Sequence, residues 1–482
     1  MAEQHNPVIL WFRKDLRMAD NRALAAAKDH GGAVIPVYIR EENGGTTGAL
    51  GGAQEWWLHH SLEALSTALD KAGSRLILLS GKAETVLQKL LDDTGAGTIF
   101  WNRRYDPQGM DIDSEIKKNF RDAGLEVESF AGHLLHEPSK LKTKTGGPYR
   151  VYTPFWRALE AGDEPAEPIA APKKLSAPSS WPKSEALKDW KLLPTKPDWA
   201  KDFAEVWTPG EAGAAENLEN FIDGALKGYE EGRDFPAKPA TSMLSPHLAL
   251  GEISPAQVWH ATRGLSRTIA PNDLSRFRKE IVWREFCYHL LFHFPKLDEK
   301  NWNDSFDAFS WNSDHAKFTA WTKGMTGYPI VDAGMRQLWK HGVMHNRVRM
   351  ITASFLIKHL LIDWRDGEKW FRDTLVDADP ASNAANWQWV AGSGADASPF
   401  FRIFNPILQG EKFDPDGGYV KTFVPELARL DKKFIHKPFD APKDVLRNAG
   451  IELGKTYPKP LVNHADARQR ALETYSDIKK GA

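Results

Sequence analysis

Five short apolar runs, separated by segments of helical period, constrain this chain more than any other feature. They are VILWF (residues 8–12), AVIPVYI (33–39), RLILLS (75–80), TIFWN (98–102) and EVESFA (126–131). Between them, residues 54–72, 83–93 and 111–123 space their apolar side chains three and four apart, as a helix with one buried face requires. Near-continuous apolar strands are buried on both faces, and strand–helix alternation feeds a parallel sheet covered by helices. The pattern predicts an α/β amino-terminal domain. After the first run the chain reads FRKDLRMADN, without the glycine fingerprint that seats a dinucleotide on a helix start.

The character changes over residues 162–213, where prolines at 165, 168, 172, 178, 182, 194, 197 and 209 mix with Lys and Ser. Such a segment is an extended linker. From about residue 214 the apolar period is mostly helical, as in NLENFIDGAL and HNRVRMITASFLIKHLLIDW, and the helical domain is expected to end near Tyr475. The expected organisation is an α/β domain over 1–135, a linker over 136–213 and an all-α domain over 214–482.

Composition bounds the function. A net charge of −1 means that any polyanion must be met by a local basic face. The single cysteine, Cys287, excludes an internal disulfide and a four-cysteine metal or iron–sulfur site. In WREFCYHLLFHF it reads as a buried, inert thiol. The amino end, MAEQHNPVILWFRKD, is too short in apolar residues for a secretory leader, and no run approaches a membrane span. The expectation is a cytoplasmic protein. Nineteen tryptophans ask for a large aromatic core or for chemistry that uses π systems.

The informative stretches gather in the helical half. GRDFPAKPATSMLSPHLALGEISP sets Thr241, Ser242 and Ser245 in a proline-bounded turn entering a helix, a phosphate cradle or a plain cap. FRKEIVWREFCYHL places Glu280, Trp283 and Arg284 on adjoining helix faces. GVMHNRVRMITASF gathers Asn346, Arg347, Arg349 and Met350, and DPASNAANWQW joins amides to indoles. ASPFFRIFNP interleaves Arg402 with phenylalanines, which suits phosphate contact beside base stacking. Singly, each is more often structural than functional.

In order and in register, these blocks together with ILWFRKDLRMADNRAL, GYPIVDAGMRQL and IDWR resemble the photolyase/cryptochrome family across nearly the whole chain. The resemblance implies an antenna domain followed by an all-α domain that binds U-shaped FAD. It places Tyr229 and the run Thr241, Ser242, Met243, Leu244 and Ser245 on the FAD phosphates and ribityl chain, with Arg284 on the pyrophosphate. Asp377, Ala378 and Asp379 would border the isoalloxazine, Arg349 would pair with Asp377, and Asn383 would lie at flavin N5. Trp387, Trp364 and Trp311 would form an electron wire. Polar groups at the ring edge set a flavin's electronics, and a neutral amide at N5 favours the fully reduced, anionic state.

The same resemblance implies repair of cyclobutane pyrimidine dimers in DNA by a lone monomer. Glu280 and Asn346 would hydrogen-bond the flipped lesion, Trp283 and Trp389 would wall its pocket, and Arg233, Arg347 and Arg402 would hold DNA. Flipping a lesion costs a few kcal/mol, less when it is already poorly paired. A (6-4) photolyase would carry two histidines where this chain has Asn346 and Met350. A cryptochrome photoreceptor is the alternative; such proteins often carry a long polar tail, and about seven residues follow Tyr475. For the antenna, WNRRYDPQGMD has Gln108 and Gly109 in place of a folate-binding Asn–Glu pair. GGPYRVYTPFW instead resembles the bacterial branch near plant cryptochromes, where methenyltetrahydrofolate binds at a shifted site. His289 and His293 lie four apart without a completing acid or cysteine, so no metal is expected.

Overall fold

The computed structural model describes residues 6–41 and 50–480. Residues 1–5 of the stretch read for a leader lie outside the described residues. The apolar runs become β1 (Val8–Phe12), β2 (Val34–Glu41), β3 (Ile77–Gly81), β4 (Thr98–Asn102) and β5 (Glu126–Phe130). Their order is β3-β2-β1-β4-β5, with every pairing parallel. The chain starts at the centre, builds outward to β3, then returns to the other side of β1. All five β1 residues are buried, which is why that run shows no polar alternation. Helix Tyr152–Glu160 lies inside the stretch read as a linker, and helix Arg22–Asp29 falls outside the expected segments. Its sequence RALAAAKD has too few large side chains to show a period, and Asn21 starts it by accepting the Leu24 N–H at 3.0 Å.

A doubly wound sheet places its ligand where the strand order reverses, here beyond the carboxyl ends of β1 and β4. Polar side chains fill that place. The Asp15 carboxylate accepts from Asn102 Nδ2 at 2.7 Å, and Arg13 donates to the Asn102 carbonyl at 2.5 Å and to Asp113 at 2.9 Å. The missing glycine fingerprint therefore has a structural counterpart.

Compactness divides the chain into two units. The first holds the described residues up to Lys227 together with Ser242–Pro295; the second holds Gly228–Thr241 and the chain from Lys296 onward. The segment read as a linker belongs to the first unit and is tied to its backbone. Leu175 N–H donates to Ala72 O at 2.9 Å, Val34 N–H to Ser176 O at 2.8 Å and Glu185 N–H to Leu78 O at 2.8 Å. Helices Glu211–Asn220, Ser245–Leu250, Pro255–Ala261 and Pro271–His293 also lie in the first unit. Helical character thus begins near residue 214 without a compact boundary there. Buried Glu252 knits these parts, accepting from Trp57 Nε1 at 3.0 Å and from Gly210 N–H at 2.7 Å while pairing with His247.

The second unit is helical, with no strand among its described residues beyond the isolated Leu453–Tyr457 bridge. Its core gathers Trp321, Phe355, Leu356, Trp364 and Trp387. The last helix, His464–Lys480, runs past Tyr475, the expected end of the helical domain, and buries Ile478.

Candidate functional site

In the second unit, helix Asn346–Ser354 is opened by His345, whose Nδ1 accepts the Arg347 N–H at 3.2 Å. That cap needs a bare ring nitrogen, and burial supplies it by pushing the imidazole down to about 4. The helix presents Arg347 and Arg349 differently. Arg347 donates to Asp234 at 2.8 Å and lies 4.5 Å over the Phe413 ring. Arg349 donates to the Met344 carbonyl at 2.7 Å and to both Asp377 oxygens, at 2.8 and 3.1 Å. The expected Arg349–Asp377 pair is present, with the carboxylate buried.

Asp379 caps helix Pro380–Ala391 by accepting the Ser382 N–H at 2.7 Å. One turn in, Asn383 donates from Nδ2 to the Glu368 carbonyl at 3.1 Å and to Glu368 Oε1 at 2.8 Å. A further turn on, Trp387 packs edge-on to Phe371, with ring centroids 4.9 Å apart, and against Gly367 of helix Trp364–Thr374. A Cβ at Gly367 would run into the Trp387 ring. The Trp387 Nε1 is buried and meets no acceptor among the described residues. Trp364 is fully buried and donates to Asn301 Oδ1 at 2.9 Å, and Trp311 packs tilted against Phe309, with ring centroids 4.3 Å apart. All three indoles expected to form a wire lie in or against one core. Trp321, 6.3 Å from Trp387, is an indole the sequence reading missed. Trp389 is half-buried against the same core, Tyr229 is buried with Arg233 5.4 Å over its ring, and Arg402 is exposed.

In the first unit, helix Pro271–His293 carries Glu280, Trp283 and Arg284. Trp283 lies flat on Tyr152, 3.7 Å between centroids and 3° between planes. The Tyr152 hydroxyl donates to the Lys279 carbonyl at 2.8 Å, so the stack is anchored to the helix that bears it. This explains an indole inside a charged stripe. Glu280 sits 3.7 Å from Arg276. Arg284 donates to the His133 carbonyl at 2.9 Å and approaches the His133 ring at 2.8 Å. Burial and Arg284 hold that imidazole well below its ordinary range. Next to it, Glu285 is pushed up to about 7 by burial, against two backbone N–H donors. Before helix Ser245–Leu250, Met243 is held at a φ of 53°, a left-handed conformation that costs a non-glycine residue on the order of 1 kcal/mol or more. No side chain caps that helix, so the plain-cap reading of the hydroxyls at 241–245 does not hold.

Also in the first unit, Asp106 caps helix Pro107–Asp122 through the Gly109 N–H at 2.8 Å. A Cβ at Gly109 would clash with the Arg104 side chain and the Asp106 carboxylate, and Arg104 is locked to Glu41 at 2.5 Å. A cavity of about 270 Å3 opens elsewhere, lined by Trp156, Trp259, His136, Glu164, Arg278 and Leu274. His289 accepts the Tyr149 N–H at 2.9 Å, so its pairing with His293 is structural packing. Among the described residues, His59, His60 and Glu63 are the group close enough to share a cation, and the sequence reading did not weigh them. No helix among the described residues is long and apolar enough to cross a membrane.

A parallel α/β unit and a helical unit with this aspartate, arginine and asparagine set agree with sequence comparison. Residues 8–173 match the family described as "DNA photolyase", and residues 277–477 match "FAD binding domain of DNA photolyase". The chain belongs to the DNA photolyase family. It is 75% identical to a deoxyribodipyrimidine photo-lyase of Agrobacterium fabrum, covering 100% of both chains. The crystal structure of a bacterial class III photolyase from Agrobacterium tumefaciens superimposes with a TM-score of 0.98 at 74% identity, covering 100% of this chain and 99% of that one. Cryptochrome-1 of Arabidopsis thaliana is 38% identical over 98% of this chain and 70% of its own length.

Proposed function

We propose that the protein is a deoxyribodipyrimidine photo-lyase that repairs cyclobutane pyrimidine dimers in DNA under blue light. Full-length identity of 75% to an enzyme of that name carries the reading. The polar set of the helical unit fits FAD: a cation beside a buried carboxylate at Arg349–Asp377, the Asp379 carboxylate and the Asn383 amide match the alternating donors and acceptors of an isoalloxazine edge. When bound, reduced FAD supplies a light-driven electron to the lesion. The chain's residues do the rest. Arg349, Asp377, Asp379 and Asn383 orient the ring, and the proposed phosphate contacts are those of the sequence reading. Trp311, Trp364 and Trp387 carry electrons inward from the surface, which aliphatic side chains cannot do. Glu280 and Asn346 hydrogen-bond the lesion, and Trp283, rigid on Tyr152, offers it a flat apolar wall.

For the antenna, the tight Arg104–Asp106–Gly109 corner supports the shifted folate site over the one at WNRRYDPQGMD. The cavity bearing Trp156 and Trp259 is its proposed place: two indoles suit a flat heteroaromatic, and Arg278 suits a carboxylate tail. The reading takes the protein to act in the cytoplasm, as a monomer, without metal.

The test is blue-light repair of cyclobutane dimers in single-stranded and duplex DNA by the fully reduced protein, with absorption recorded first. Restored pyrimidines are expected, together with flavin bands and a near-ultraviolet band that Trp259→Ala abolishes. If no pyrimidine is restored, the photoreceptor reading takes over, which the 38% identity to a plant cryptochrome would then support.

A further inference from the structure

Asn383 has two amide hydrogens, and both are committed to one residue. Nδ2 donates to the backbone carbonyl of Glu368 at 3.1 Å and to its Oε1 at 2.8 Å. A backbone carbonyl only accepts, so the nitrogen and oxygen ends of this amide are assigned by chemistry. Glu368 is itself fixed. Arg372, one turn on, donates to Oε1 at 3.1 Å and to Oε2 at 2.7 Å, and Asp298 stands 3.8 Å from the same guanidinium. Burial pushes the Glu368 carboxyl up, and the Arg372 guanidinium opposes that shift. With both hydrogens spent, Asn383 has only Oδ1 left to offer, and Oδ1 accepts from no described residue.

We infer that the Glu368–Arg372 pair is a positioning device that turns the Asn383 carbonyl oxygen, rather than its NH2, toward the flavin. This rests on the proposed place of Asn383 at flavin N5. An acceptor there is complementary to a protonated N5 and repels the lone pair that N5 carries when oxidised. The pinned amide therefore raises the midpoint potential of bound FAD and favours the N5-protonated, reduced cofactor. A freely turning amide would present its NH2 to the oxidised ring and lose that bias.

The test is the midpoint potential of bound FAD, alongside FAD content, in three variants. Glu368→Gln is nearly isosteric, and a glutamine oxygen at the Oε1 position keeps both Arg372 Nε and Asn383 Nδ2 as donors, so the amide stays turned. Glu368→Leu removes that acceptor, frees one amide hydrogen and lets the NH2 swing to the ring. The expected order is a fall of at least about 30 mV in Glu368→Leu, a tenfold shift of the two-electron equilibrium, and a smaller fall in Glu368→Gln. A purely structural role lowers FAD content in Glu368→Leu and leaves the potential of the FAD still bound unchanged, and that result overturns the proposal. Asn383→Asp separates the two layers. A shift there with none in either Glu368 variant refutes the pinning and keeps Asn383 at N5. No shift in any of the three refutes the place of Asn383 itself.

Discussion

Gly367 shows how one missing methyl group sets the geometry of Trp387, the indole proposed to stand next to the flavin. Helices Trp364–Thr374 and Pro380–Ala391 approach closely enough there that the Trp387 ring occupies the room of a Cβ. Gly367→Ala should cost about 1–3 kcal/mol, as overpacking a close-packed core does. Because the displaced group is Trp387, photoreduction of oxidised FAD should slow as well, toward the block expected in Trp387→Phe. Thermal melts and the rate of flavin bleaching under blue light check this. A Gly367→Ala protein that melts earlier but photoreduces at the wild-type rate places Trp387 outside the wire. Nothing in WRDGEKWF marks its glycine as a packing site, since a helical glycine without positive φ leaves no local sign. The indoles were legible because their residue type is rare and their order matches a family. Glu368, Gly367 and Trp321 were not, because each acts through a contact made across helices.

At the scale of elements, strand interiors followed from composition and their ends did not. TIFWN is β4 to the residue, whereas RLILLS begins two residues before β3, because register with β2 starts at Val37–Ile77. A subtler element is the π-helical turn Phe355–His359, closed by Leu360 N–H to Phe355 O at 3.1 Å. An extra residue in a turn rotates the following side chains, and here it buries Lys358 and His359 in an otherwise apolar stretch. The Lys358 ammonium has the Arg402 carbonyl at 3.2 Å and the Phe400 ring at 5.3 Å, and among the described residues no carboxylate pairs with it. Burial first, and then Arg402, push it down to about 7 from an ordinary 10.5. A lysine held below its unfolded value binds its proton more weakly in the native state. Its cost to stability is complete below about pH 7 and disappears as pH rises toward 10.5. Lys358→Met should therefore raise the melting temperature at pH 7, and the gain should shrink steadily by pH 10. A gain independent of pH would mean that packing, not charge, is what the substitution relieves.

For the whole molecule, a net charge of −1 forces any grip on DNA to be local. Of the three arginines proposed to hold DNA, Arg347 and Arg402 differ in freedom. Arg402 is exposed beside exposed Phe401, while Arg347 must leave Asp234 to reach a phosphate. Arg402→Ala should lower the salt slope of log K by about 1, for damaged and undamaged DNA alike. Arg347→Ala should lower it by less. Titrations at several salt concentrations decide it, and an unchanged slope in Arg402→Ala removes that residue from the interface. Domain order was visible in the sequence as a switch from strand–helix alternation to helices. The compact units were not, because a chain that leaves a unit and returns at Ser242 carries no compositional mark of doing so.

That return has a consequence for synthesis. Trp57 and Gly210 share a single buried acceptor, Glu252, which lies far downstream of the indole it satisfies. A ribosome working at roughly 5–20 residues per second delivers it on the order of ten seconds or more after Trp57. Throughout that interval the nascent sheet can pair its strands but cannot seal the covering helix, whose indole N–H has only water to bond. Vectorial folding of the amino-terminal unit thus waits on the chain's later half, and chains arrested before residue 252 should remain protease-sensitive around Trp57.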